Sequence, residues 1–84
     1  METYNGWKNR ATWNVALWIE NDYGLYSTAR SYVQTAKRNG MRVSYGKFLD
    51  YAGLRNARTP DGFAYDGKQL DRKALREMLE EMMD

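Results

Sequence analysis

Any acid–base chemistry in this chain falls to Asp, Glu, Lys and Tyr, with Ser and Thr as the available nucleophiles, because its 84 residues include neither histidine nor cysteine. Those two absences remove the commonest general base, the commonest transition-metal ligand, thiolate zinc sites and disulfides, so most hydrolase triads and nearly all catalytic zinc sites are excluded. The pairs that remain are Tyr65 with Asp66 and Glu77 with Lys73. Nothing positions a nucleophile beside either pair, so no catalytic residue is assigned and the chain is expected not to be an enzyme. Asp61, Asp66 and Asp71 fall at a regular interval around two glycines, which invites a calcium reading. The ligand rhythm of a calcium loop is missing, however, and turn and cap roles are expected instead, with no metal and no cofactor.

Binding is better supplied than catalysis. Three Trp and seven Tyr exceed what the core of so short a chain needs. Trp18 and Tyr32 fall on inward-facing helical positions, whereas Tyr4, Trp7, Trp13, Tyr23, Tyr51 and Tyr65 are harder to bury together. Exposed aromatics beside arginine have the composition of a protein interface or of a base-stacking platform. Tyr4, Trp7, Arg10, Trp13 and Tyr23 are therefore the candidate partner-binding residues, with coverage of the core's edges as the structural alternative. A second candidate surface is basic. Lys8, Arg10, Arg30, Lys37, Arg38, Arg42, Lys47, Arg55 and Arg58 could meet phosphates, and within this set Arg30, Lys37, Arg38, Arg55 and Arg58 are the candidate nucleic-acid contacts. Arg55 and Arg58 are expected to project freely from a linker. No recognition-helix cluster is visible in their spacing, and a solvated face is the plain alternative.

The elements that must carry these side chains are helical. The length fits a single domain spanning 1–84, and the 43% hydrophobic share is enough for it to fold alone. Asn5-Gly6 is a turn former, Asn9 is a plausible N-cap, and Ala11, Val15, Trp18 and Ile19 define one face of a first helix over 10–21. Trp13, Ala16 and Leu17 make that helix apolar nearly all round, which predicts that it is either central or covered. Asp22 suits the cap of a second helix, in which Leu25, Tyr26, Ala29, Tyr32, Val33 and Ala36 face inward and Asn39-Gly40 supplies the stop. Ser44 caps a short third helix with Tyr45, Phe48, Leu49 and Ala52 on one face, ending near Gly53. The fourth helix is expected over 69–83, with Leu70, Ala74, Leu75, Met78, Leu79 and Met82 as its stripe. Met78, Met82 and Met83 suit core packing or self-association, as a monomer or a homodimer.

The fold class expected is thus mostly α, a compact three- or four-helix domain with a short two-stranded β pairing or a structured loop between helices 3 and 4. The pairing would join residues 41–43 to residues 63–65. The first helix is expected to lie between the second and the fourth.

Net charge is +2, unevenly placed: residues 1–60 hold nine Lys or Arg against four Asp or Glu, while residues 61–84 hold four against seven. A mildly basic body and an acidic tail argue against mimicry of DNA, which needs negative charge along the whole length. Neither end reads as a targeting segment and no apolar run approaches a membrane span, so a cytoplasmic protein without membrane contact is expected.

The run Tyr4-Asn5-Gly6-Trp7-Lys8-Asn9-Arg10-Ala11-Thr12-Trp13-Asn14-Val15-Ala16-Leu17-Trp18-Ile19, with Asn21-Asp22 after it, resembles a family of small uncharacterised proteins encoded by bacteriophages and plasmids. Thr59-Pro60-Asp61-Gly62 with its following aromatic, and the Met-rich helix, are similar to the same family, while residues 35–58 match it weakly. The resemblance carries no assigned activity. It implies a mobile-element setting and the cytoplasm of a host cell, where short domains without catalytic equipment bind and redirect host proteins such as CRISPR effectors, restriction enzymes or RNA polymerase. The expected function is accordingly a non-enzymatic accessory that binds and inhibits or redirects a host nucleic-acid-handling enzyme or defence complex. The alternative is a small DNA- or RNA-binding regulator working through the basic surface.

Overall fold

In a computed structural model of the chain, residues 4–82 are described. Four helices follow one another: α1 (Arg10–Asn21), α2 (Tyr23–Arg38), α3 (Tyr45–Ala52) and α4 (Arg72–Glu81). Each begins at a short polar side chain that accepts a hydrogen bond from an otherwise orphaned backbone N–H. Asn9 accepts from the Thr12 N–H, Asp22 from Leu25, Ser44 from Lys47 and Asp71 from Ala74. Asp22 also ends α1, its own N–H reaching the Trp18 carbonyl, so a single residue closes one helix and opens the next. The stops are equally local. Gly40 (φ 66°) and Gly53 (φ 71°) take the left-handed backbone that a side chain would resist. The following Met41 and Leu54 N–H groups then return to the Ala36 and Leu49 carbonyls.

The core gathers Val15 and Ile19 from α1, Ala29 and Val33 from α2, Phe48 and Leu49 from α3, and Leu75 and Leu79 from α4, all fully buried. Val43, Leu54, Tyr65 and Leu70 close it from the connections. α2 and α4 each pack on all three other helices, while α1 and α3 make no close backbone approach. The expected placement of α1 against both α2 and α4 is therefore seen, but α1 does not separate them, and the most extensive packing belongs to α2. The small side chains of Ala29 and Ala36 on its inner face let neighbours approach closely.

The domain is all-α, with no β-strand among the described residues. The connection between α3 and α4 is a structured loop. Its single antiparallel bridge joins Arg58 to Ala64 across the Thr59-Pro60-Asp61-Gly62 turn, and residues 41–43 do not pair with residues 63–65. The Thr59 N–H donates to the Phe63 carbonyl and the Gly62 N–H to the Thr59 carbonyl, so the turn satisfies itself without a partner strand. α4 starts later than the apolar stripe suggested, because the Asp71 cap leaves Leu70 outside the helix as a buried loop residue. Met83, placed at the helix end by the spacing, lies outside the described residues. Among the described residues no helix is long and apolar enough to cross a membrane.

Candidate functional site

α1 has a second side, bearing Arg10, Asn14 and Trp18, and the chain itself lies against it. Residues 59–71 lie along it and are fixed by polar bonds between residues far apart in sequence. Asp61 Oδ2 accepts from Asn14 Nδ2 at 2.8 Å and from Trp18 Nε1 at 2.9 Å. These two donors, Asn14 first, hold the Asp61 carboxyl below the usual carboxylate range. Asn9 Nδ2 donates to the Gln69 carbonyl at 2.7 Å. The buried Thr12 hydroxyl donates to Asn9 Oδ1 at 2.7 Å and accepts the Asp71 N–H at 3.0 Å. The α1 cap and the α4 cap are thus one network.

Most of the aromatic candidates are engaged by the fold around α1. Asn5 (φ 50°) and Gly6 (φ 87°) form a tight turn, across which Tyr4 and Trp7 exchange backbone hydrogen bonds of 2.7 and 2.8 Å. The turn folds the Tyr4 ring back onto Trp13, with centroids 4.8 Å apart. Trp13 is half-buried, and half-buried Trp7 packs against the core edge and lines a cleft with Glu20, Glu77, Met78 and Glu81. Arg10 places its guanidinium 5.6 Å over the Phe63 ring. Trp18, expected in the core, is half-buried because its indole N–H reaches out to Asp61. Tyr65, expected to be hard to bury, is buried and offers its carbonyl to the Tyr45 hydroxyl. Tyr4, Trp7, Arg10 and Trp13 therefore serve the fold in part, and Tyr23 is separated from them.

Tyr23 stands 86% exposed in the first turn of α2. It lines a groove of about 350 Å³ with Tyr26, Ser27, Arg30, Ser31 and Gln34. These residues share a face because 23, 27, 30 and 34 recur at helical spacing. Arg30 holds its guanidinium 5.8 Å over the Tyr26 ring, and the Ser31 and Tyr51 hydroxyls share a 2.7 Å hydrogen bond that carries the face onto α3. Tyr51 itself is 48% exposed. Two aromatic residues of this face, Tyr26 and Tyr51, are not among the partner-binding candidates that the sequence offers. Tyr26 was taken as inward-facing, although its place one turn before Arg30 is a readable signal for a cation–π pair.

The candidate nucleic-acid contacts are not gathered in one place. Arg30 and Lys37 lie two turns apart on α2, and Lys37 and Arg38 occupy its exposed last turn, where they complement the helix dipole. Arg55 and Arg58 do not project freely as expected. Arg55 forms a two-point ion pair with Asp50, at 2.7 and 3.2 Å, and donates to the Gly46 carbonyl at 2.9 Å. The same pairing holds the Asp50 carboxyl below its ordinary value. Arg58 donates to the Gly62 carbonyl at 2.9 Å and braces the turn. Among the described residues no three acidic side chains meet closely enough to hold a metal ion, and Asp61 and Asp71 serve as clamp and cap.

No curated protein and no solved structure shows a significant match to the chain. One family model, described as a family of unknown function (DUF7249), matches residues 1–84, and the chain belongs to that family.

Proposed function

We propose that the protein is a non-enzymatic accessory of a bacteriophage or other mobile element that binds a host protein and inhibits or redirects it. One observation carries this reading: the outer face of α2 presents Tyr23, Tyr26 and Arg30 with Tyr51 beside them, and no other part of the described chain covers Tyr23. Tyrosine and arginine are the residue types that dominate binding energy at protein interfaces, since both combine large contact area with a polar handle. A standard interface takes about 800 Å² from each partner, roughly a seventh of the 5335 Å² accessible surface. The partner would therefore reach past the α2 groove onto α3, where Tyr51 stands. The mobile-element setting rests on the resemblance of the Tyr4 to Ile19 run, and it favours a nucleic-acid-handling enzyme or a defence complex as target.

A photo-crosslinking residue at position 23, in nuclease-treated lysate of a host cell, tests the docking face. The expected result is one crosslinked host protein, lost on adding Arg30→Glu to a variant whose circular dichroism and melting temperature match those of the parent. Adducts that vanish with nuclease, or that persist undiminished with Arg30→Glu, would overturn the reading.

A further inference from the structure

Four cations, Arg42, Arg72, Lys73 and Arg76, line one cleft of about 360 Å³ together with Tyr45 and Gly46. Arg42 comes from the extended segment between α2 and α3, and the other three from the first turns of α4. Arg72 and Lys73 occupy the helix end whose dipole is positive, where acidic residues are normally favourable, and the first turn of α4 contains none. Arg72 and Arg76 are also four apart, a repulsive spacing for like charges. None of them is in an ion pair: Arg55 with Asp50 is the one ion pair among the described residues, and Glu77 and Glu80, four residues after Lys73 and Arg76, lie beyond pairing distance. The carboxylates on this side are otherwise engaged or more distant. Asp71 accepts from the Ala74 N–H, and Asp66 acts on Tyr45 and Arg55 only through its field.

One of the cations is also held in place. The Arg72 guanidinium sits 5.7 Å over the Tyr45 ring. Gly46 leaves space that a side chain would fill, since a Cβ there would lie 3.7 Å from Arg72 Nη1 and 3.4 Å from Arg55 Nη2. A guanidinium fixed in advance loses little freedom when an anion arrives. Tyr45 is only 2% exposed, so its ring offers no stacking surface to a base. What the cleft recognises is concentrated negative charge.

We propose that this cleft binds a compact anion carrying two or more phosphate groups. Phosphate oxygens match arginine's paired donors, and several charges on one small molecule suit cations drawn together at one point. A nucleic-acid strand distributes its phosphates along an extended track and is the alternative source of the same chemistry. The site is separate from the α2 face, and its test is independent of the function proposed above.

Inorganic triphosphate, titrated into the full chain by calorimetry and by thermal shift at low and moderate salt, is the direct probe. A twenty-base-pair DNA duplex of about equal phosphate concentration serves as the second arm. The expected result is saturable triphosphate binding with a rise in melting temperature. Affinity should fall at least about tenfold in Arg72→Ala/Arg76→Ala and in Arg42→Ala, and hold in Lys37→Ala/Arg38→Ala, whose side chains lie outside the cleft. Removing charges that repel one another should leave the unliganded fold intact, which the melting temperature of each variant checks. Absence of triphosphate binding, binding unchanged in both cleft variants, or binding of the duplex alone would each overturn the assignment.

Discussion

α1 and α2 each turn an outer face away from the core, and the two faces are finished in different ways. On α1, residues 59–71 close the face with side-chain hydrogen bonds spanning 43 to 60 residues of sequence. On α2 the face stays open, and its polar groups are satisfied locally by a hydroxyl pair and a guanidinium stacked on a ring. A helix surface that the chain covers itself contributes to folding. A tyrosine surface left uncovered is available to another molecule. The contrast assigns stability to the first face and recognition to the second, and substitutions can separate the two.

The largest effect is expected at Asn14, which is buried and donates to Asp61 at 2.8 Å. Asn14→Asp sets two carboxylates against each other there, and the loss of stability in urea unfolding at neutral pH should be about 3 kcal/mol. Acid should restore part of it as the pair takes up a proton. In the parent chain the pH dependence at this point has the opposite sign. Asp61 is held below its ordinary value, so its contribution is complete above about pH 4 and is lost as the pH falls through the depressed value. Variant and parent that respond to acid alike would mean that the clamp contributes nothing.

Thr12→Val comes next, keeping shape while deleting the hydroxyl that joins the α1 and α4 caps. A cost of about 1–2 kcal/mol is expected for leaving its partners unmet in a buried place. The smallest effect belongs to the other face. Tyr23→Ala should stay within about 0.5 kcal/mol of the parent, as surface substitutions do. A large drop in melting temperature there would erase the distinction between the two faces.

Sequence reading reached the helices because their signals are local. Asn9, Asp22 and Ser44 act within three residues of where they stand, and Asn39-Gly40 and Gly53 stop helices by backbone conformation alone. The seam was invisible for the opposite reason: nothing near Asp61 in sequence says that Asn14 will donate to it. The same blindness left Arg55 and Arg58 as free charges, when Asp50 and the Gly62 carbonyl hold them. Adding up charge over residues 61–84 gave an acidic tail and concealed how α4 is divided. Arg72, Lys73 and Arg76 come first and Glu77, Glu80 and Glu81 last, each group set against the dipole at its end. Of the four aromatic partner-binding candidates, Tyr23 kept by far the most exposure, Tyr4 remains exposed against Trp13, and Trp7 and Trp13 are half-buried. A half-buried tryptophan and an exposed one have the same sequence neighbours.

The hydroxyl of Thr12 meets the backbone of Asp71 at 3.0 Å. During synthesis the chain is made from its first residue onward, so the first helix exists as sequence long before residue 71 is available to complete its cap. Of the four helices α1 is therefore the first to be made and one of the last to be finished, and a ribosome stalled before residue 59 would carry a first helix whose outer side is still uncovered.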